Sequence, residues 1–280
     1  MVRKTFFVLM VVSLASILAA QTLIIKGSNT VYPIAQLWVE EFSKMYPGVK
    51  ITLEGAGSST GIKALLEGTA NIANSSRFLK KSEIDAMMNS GKYFVPIIVA
   101  YDGIAVIVNP NLPIDSISLE TLKKIYTGEI TQWNQVDPKL PNKRIVVYSR
   151  NTASGTFETW LEKVLHGEKM ASHVQFVEST QAEIESVANN QFAIGYTGLG
   201  YVTSKVKALK VEGVAPTIEN VLNGTYPISR PLYIFIDLSR YNYSWPEKGI
   251  VADFVRFILS PAGQKLVEKA GYVPAYGTAR

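Results

Sequence analysis

The chain has no cysteine and only two histidines, His166 and His173, in 280 residues. Without cysteine there are no disulfide staples, no thiolate nucleophile, no cysteine-built zinc site and no cysteine-linked lipid. With two histidines there is no HExxH pair, and no EF-hand loop, P-loop or dinucleotide fingerprint occurs either. Neither a metal nor a cofactor is therefore expected. Charge is also sparse, at 18 % of residues and a net +5. The basic residues are scattered, with short pairs at Lys80-Lys81 and Lys123-Lys124. No basic stripe with interleaved aromatics points to nucleic acid. Internal repeats and low-complexity linkers are absent too. A chain of this length held without disulfides relies on packing, as one large domain or two of moderate size.

The first 20 residues read as a separate segment. Arg3 and Lys4 form a charged start, Phe6 to Leu18 is almost wholly apolar, and Ala19-Ala20 supplies small residues for cleavage. The apolar run is short for a membrane span. Residues 1–20 are expected to be a signal peptide, and the rest to be exported and to diffuse freely in a periplasm.

From Gln21 onward, strand-like and helix-like runs alternate. Leu23 to Lys26 predicts a strand. Ile34, Leu37, Trp38, Phe42 and Met45 recur at helical spacing after Pro33. Ser82-Glu83-Ile84-Asp85 resembles a capping box. Phe94 to Ala100 and Ile104 to Val108 are β-rich runs flanking Tyr101-Asp102-Gly103. The alternation predicts an α/β protein with parallel or mixed sheets flanked by helices. Tyr101-Asp102-Gly103 and Ser229-Arg230-Pro231 are candidate boundaries. Two crossings would make one domain discontinuous and would suit closure around a ligand.

Three segments place hydroxyls and glycines just ahead of a helix: Gly27 to Pro33, Gly55 to Gly61 and Arg150 to Thr156. Such starts leave backbone N–H groups pointing at one spot, where they and the positive end of the helix dipole attract an oxyanion. Arg150 adds a planar fork suited to phosphate or carboxylate. Each segment alone could be an ordinary cap, but three in one chain point to an anion receptor. Ser75-Ser76-Arg77 reads equally as a polar turn or as part of the site. Asp102 is either a hinge residue or a balance for nearby cations.

Gly57-Ser58-Ser59-Thr60-Gly61 also fits G-x-S-x-G, which would make Ser59 the nucleophile of a secreted serine hydrolase. That reading needs a histidine in a loop after a strand, and both histidines lie at or just past helix ends. Trp38, Trp133, Trp160 and Trp245 lie away from the hydroxyl segments and read as packing residues.

Taken together, Gly27 to Pro33, Gly55 to Gly61, Asn71 to Leu79, Ala100 to Val106, Gly128 to Trp133, Arg150 to Thr156 and Gly271 to Pro274 resemble the phosphate-binding proteins of bacterial ABC-type phosphate importers. The resemblance implies a two-lobed type-2 periplasmic binding protein fold with the ligand cleft between the lobes. Lobe one would be residues 21–102 plus 230–280, and lobe two 103–229. It implies phosphate contacts at Thr30, Val31, Ser58, Ser76, Arg150, Ser154, Gly155 and Thr156, with Asp102 and Arg77 behind them. Ser76 stands where the family often carries a buried aspartate, which weakens the expected rejection of sulfate. The implied partners are inorganic phosphate and an inner-membrane ABC permease, with the receptor acting as a monomer and not as an enzyme. Sulfate, molybdate and tungstate are the competing ligands.

Overall fold

In the computed structural model, residues 22–277 are described. The expected signal peptide lies outside them. Among the described residues, twelve strands and ten α-helices follow one another. In the first part of the chain come β1 (Thr22–Gly27), α1 (Tyr32–Met45), β2 (Lys50–Gly55), α2 (Ser58–Glu67), β3 (Ile72–Ser75), α3 (Lys81–Asn89) and β4 (Phe94–Val108). The middle holds β5 (Ser116–Ile117), α4 (Leu119–Thr127), α5 (Trp133–Val136), β6 (Val146–Arg150), α6 (Gly155–Lys163), β7 (Gln175–Val177), α7 (Thr180–Ala188) and β8 (Ala193–Gly198). The remainder is β9 (Lys207–Ala208), β10 (Lys210–Val211), α8 (Ile218–Leu222), β11 (Ser229–Asp237), α9 (Ile250–Leu259), α10 (Pro261–Lys269) and β12 (Val273–Pro274).

One mixed sheet runs in the order β2-β1-β3-β11-β4-β8-β6-β7. At one end β2, β1 and β3 are parallel, and at the other β8, β6 and β7 are parallel. Parallel strands need crossovers, and the helices between them cover the sheet. Among the described residues two large apolar cores result, with two smaller clusters beside them. One large core gathers Leu23, Ile25, Trp38 and Phe42 with Leu232, Ile234, Phe254 and Ile258. The other gathers Ile104, Val106, Trp133, Trp160, Ile194 and Tyr196.

The long strand β4 links the two cores. Its first part pairs with β11, from Asp237↔Phe94 to Ser229↔Gly103. Its last five residues pair with β8, from Ile104↔Gly198 to Val108↔Ile194. Tyr101-Asp102-Gly103 is therefore no interruption between two β-runs: β4 stays extended through it and changes partner there. The change places Asp102 directly opposite Arg230.

Local sequence explains the helix ends nearest the cleft. Pro33 occupies the first turn of α1, and Ile34, Ala35, Trp38 and Phe42 form its buried face. The side chain of Ser154 caps α6 by accepting from the N–H groups of Thr156 and Phe157. Two readings need correction. Helix α3 is capped at Lys80, not Ser82, because the Glu83 carboxylate accepts from the Lys80 N–H at 2.8 Å. Trp38, Trp133 and Trp160 are buried as expected, but Trp245 is 43 % exposed.

Candidate functional site

Three helix starts meet where the C-terminal ends of β1, β2, β3 and β6 turn into loops, the usual position of ligand crevices in open α/β sheets. The loop after β1 brings Thr30, the start of α2 brings Ser58, the end of β3 brings Ser76, and the start of α6 brings Gly155 and Thr156. Thr30 Oγ1 and Thr156 Oγ1 are 2.9 Å apart, joining side chains of the two sheet ends. Ser58 Oγ accepts from the Ser76 N–H at 3.1 Å and lies 3.4 Å from Ser76 Oγ. Gly155 faces both serines so closely that a Cβ there would overlap Ser58 Oγ and sit 2.5 Å from Ser76 Oγ. Thr30, Ser58, Ser76 and Thr156 are all buried.

Other contacts cross the same seam. The Ser59 N–H donates to Ala153 O at 3.2 Å, Tyr201 Oη donates to Asn29 O at 2.8 Å, and Lys80 pairs with Glu158. Gly57, at φ +102, passes so near Ala153 that a Cβ would lie 2.5 Å from its carbonyl oxygen. A side chain there would be strained as well as obstructed.

Arg150 is 2 % exposed, a buried guanidinium rather than a solvated one. Its Nη1 donates to Thr180 Oγ1 and its Nη2 to Glu178 O, both at 2.7 Å. With the Asn29 amide assigned so that both its ends are satisfied, Asn29 accepts from Arg150 Nη2 at 3.0 Å and donates to Gly55 O at 2.9 Å. Nε is buried and carries no hydrogen bond. These bonds fix the fork beside the Thr30 loop while leaving Nε–H uncommitted. Burial pulls the guanidinium down from its ordinary value, and the nearby Glu183 pulls it back up. Glu183 is itself pushed up to about 8 by burial, against the pull of Arg150 and the N–H of Tyr196.

The remaining sequence candidates take different places. Ser154 spends its side chain on the α6 cap. The Val31 N–H lies 3.4 Å from Ser28 Oγ. Arg77 turns its guanidinium to Glu83, with 2.7 and 2.8 Å contacts, and to Ser59 Oγ at 2.8 Å. That arrangement bears on the hydrolase reading. Ser59 receives a hydrogen bond from a guanidinium, which cannot act as a general base. Among the described residues, no group of three or more acidic, histidine or cysteine side chains could hold a metal. No helix among them is long and apolar enough to cross a membrane.

Residues 15–262 match the family model of the PBP superfamily domain. The chain belongs to the PBP superfamily. It shares 34 % identity over 261 residues with Protein SphX of Synechococcus elongatus, spanning 89 % of this chain and 76 % of the relative. It shares 33 % over 267 residues with Phosphate-binding protein PstS of Pseudomonas aeruginosa, spanning 89 % and 81 %. Among solved structures, one titled as a phosphate ABC transporter substrate-binding protein with bound phosphate, from Clostridium perfringens, superposes with a TM-score of 0.82 at 35 % identity. That match covers 91 % of this chain and all of the other. An ABC-type phosphate transport receptor from Vibrio cholerae gives a TM-score of 0.71 at 30 % identity, covering 90 % and 99 %. The mixed α/β architecture is thus the type-2 binding protein fold.

One member of this PBP cluster escaped the sequence reading. Arg230, treated there only as a boundary marker, is buried against the hydroxyls. Its Nη2 reaches Asp102 Oδ2 at 2.9 Å, Thr156 Oγ1 at 3.0 Å and Thr30 Oγ1 at 3.3 Å. Its Nε also donates to Asp102 Oδ2, at 3.1 Å, while the Leu199 N–H donates to Oδ1 at 2.9 Å. Asp102 therefore balances a cation. Burial pushes its carboxyl up, and Arg230 and the Leu199 N–H pull it down. Asn29 was likewise missed as a partner of Arg150.

Proposed function

We propose that this chain is a solute-binding protein that captures inorganic phosphate between two closing lobes and delivers it to an ABC importer. The observation that carries the reading is the meeting of the Thr30, Ser58 and Thr156 hydroxyls, from three helix starts, with Ser76 at the end of β3, across the line between the two large apolar cores. The phosphate named for the PstS relatives and for the Clostridium perfringens structure supports it.

In this reading the lobes are residues 21–102 with 230–280 and residues 103–229. Thr30, Ser58 and Thr156 donate their hydroxyls. Gly155 contributes a backbone amide and Arg150 the cation, while Val31, Ser154 and Thr156, whose N–H groups already bond within the protein, line the anion. Ser58 accepts the Ser76 N–H, and Thr30 and Thr156 face one shared Arg230 N–H, which turns hydroxyl hydrogens away from those donors. Ser76 Oγ receives no N–H among the described residues, so it is the hydroxyl left free to accept a phosphate proton. Arg77 and Asp102 act behind the contact layer. Each hydrogen bond to the charged ligand contributes about 1.5–3 kcal/mol. A handful exceed the roughly 8 kcal/mol of a micromolar complex before dehydration and closure are met. No reaction is required: the anion holds the closed form, and the closed form docks on a membrane permease. The setting is the periplasm, reached through the leader at residues 1–20, and the receptor works as a monomer.

Calorimetry on the exported chain with a panel of oxyanions tests this. Phosphate is expected to bind at micromolar affinity or better, ahead of sulfate, molybdate and tungstate. Tighter binding of one of those three, or Ser59-dependent ester turnover, would reject the phosphate reading.

A further inference from the structure

We infer that Arg230 is a positioning residue of the anion site, which fixes the Thr30 and Thr156 hydroxyls as donors and is itself held in place by Asp102. The inference rests on the phosphate reading and goes beyond it. It adds a second guanidinium, from a strand that neither lobe's hydroxyl loops include.

A hydroxyl is both donor and acceptor, and it rotates to suit its partner. Left alone, Thr30 and Thr156 at 2.9 Å share one hydrogen, and the remaining hydroxyl hydrogen is free to turn in any direction. Arg230 Nη2 fixes that direction: one of its N–H groups goes to Asp102 and the other lies between the two hydroxyl oxygens, at 3.3 and 3.0 Å. An oxygen that accepts from a guanidinium turns its own hydrogen away from the cation. At most one of the two hydrogens can then serve the Thr30–Thr156 contact, and the other is presented outward. The pair becomes a donor set suited to an acceptor-rich anion. A guanidinium has no acceptor and keeps its proton, so this polarity does not reverse.

Position matters as much as charge. Arg230 lies on β11 opposite Asp102 on β4, where β4 passes from one core to the other. From there it reaches Thr30 on one side and Thr156 on the other, residues from opposite sheet ends. It completes its contacts only when both are in place, so it responds to closure. Asp102 supplies the anchor: Nε and Nη2 both donate to Oδ2, while the Leu199 N–H holds Oδ1. Both members of the pair are buried, which keeps the fork in one orientation.

The test is calorimetry with inorganic phosphate on the exported chain and on Arg230→Gln, Arg230→Lys, Thr156→Val and the double variant Arg230→Gln/Thr156→Val. Arg230→Gln is expected to weaken binding at least tenfold, about 1.4 kcal/mol. Arg230→Lys should recover part of that loss, having the charge without the fork. The double variant should lose less than the product of the two single losses, because Arg230 acts through Thr156. A purely structural role would give multiplicative losses. Removing Arg230 leaves Asp102 buried without its partner, so Asp102→Asn/Arg230→Gln carries the same test if the single variant does not fold. A wild-type chain that fails to bind phosphate overturns the phosphate reading and this inference together. A folded Arg230→Gln chain with wild-type affinity, or strict multiplicativity in the cycle, overturns this inference alone.

Discussion

Thr30 and Thr156 are 126 residues apart in the chain, yet their hydroxyl oxygens lie 2.9 Å from each other in a buried seam. One follows β1 and the other opens α6, so the contact ties elements from the two ends of the sheet. If both hydroxyls serve the anion, removing one subtracts a charge-assisted hydrogen bond and leaves the packing nearly intact. Thr30→Val keeps the branched shape. The expected loss is about 1.5–3 kcal/mol of phosphate affinity, or roughly ten- to a hundredfold, with little change in melting temperature. Calorimetry and a thermal melt on the same sample check both halves of the statement.

Arg150→Ala is expected to weaken phosphate binding at least tenfold, about 1.4 kcal/mol, while leaving the fold intact. The side chain is held by Thr180, Glu178 and Asn29 before any ligand arrives, so its orientation is set in advance. Unchanged affinity in calorimetry would remove Arg150 from the contact layer and leave it a buried link between β6 and the Thr30 loop.

Much of this site was legible because helix starts are local. Ser154, Gly155 and Thr156 carry their cap within a few residues, and glycines at 57 and 155 mark close approaches that a side chain would obstruct. Arg230 was not legible, since its meaning comes from register. Only the pairing of β11 with β4 sets it opposite Asp102, 128 residues earlier. The same limit explains why Phe94 to Ala100 and Ile104 to Val108 read as two runs on either side of Tyr101-Asp102-Gly103. A glycine there suggests an interruption, but pairing with β11 and then β8 keeps the strand continuous. Helix α3 shows the converse: the Glu83 carboxylate satisfies the first N–H without help from a hydroxyl, so the Ser82 pattern misplaced the cap. Trp245 was misread because spacing alone does not reveal exposure.

Sulfate is expected to compete measurably for the site. An aspartate beside the ligand would accept a phosphate proton and repel a fully deprotonated anion. Ser76 can donate as well as accept. Asp102 does not take over that role, because Arg230 and the Leu199 N–H already occupy its oxygens. A competition titration that shows strict exclusion of sulfate would mean that a different acceptor faces the ligand.

Stability should fall as pH rises from about 5 to 8, and Glu183 is one cause. Its carboxyl is raised from 4.5 to about 8 when folded, so in this window the native state holds a proton that the unfolded chain has released. The protonated, native form is therefore favoured at the low end, and its advantage is lost as pH climbs through the folded value. Asp102 shifts in the same direction. Glu183→Gln cannot titrate, so its melting temperature should decline less over this range than that of the wild type. Parallel declines in a melting series from pH 5 to 8 would assign the effect elsewhere.

Gly155→Ala separates closure from folding. Gly155 opens α6 and has no positive φ, so the backbone accepts alanine, which also favours a helix more than glycine by about 1 kcal/mol. The obstacle lies across the seam, where the new methyl would overlap Ser58 Oγ and sit 2.5 Å from Ser76 Oγ. Those atoms belong to α2 and to the end of β3, whose Ile62, Leu65 and Ala73 pack in a cluster of their own, and they are held together by the Ser76 N–H bond to Ser58. The cheapest relief is for the two halves to stay apart, and then Thr30 cannot meet Thr156 around a shared ligand. The variant is expected to melt at or above the wild-type temperature, to bind phosphate at least about a hundredfold more weakly, roughly 2.7 kcal/mol, and to show no compaction on adding phosphate in small-angle scattering. Wild-type affinity in this variant would mean that Ser58 and Ser76 do not close on α6 when the anion is held.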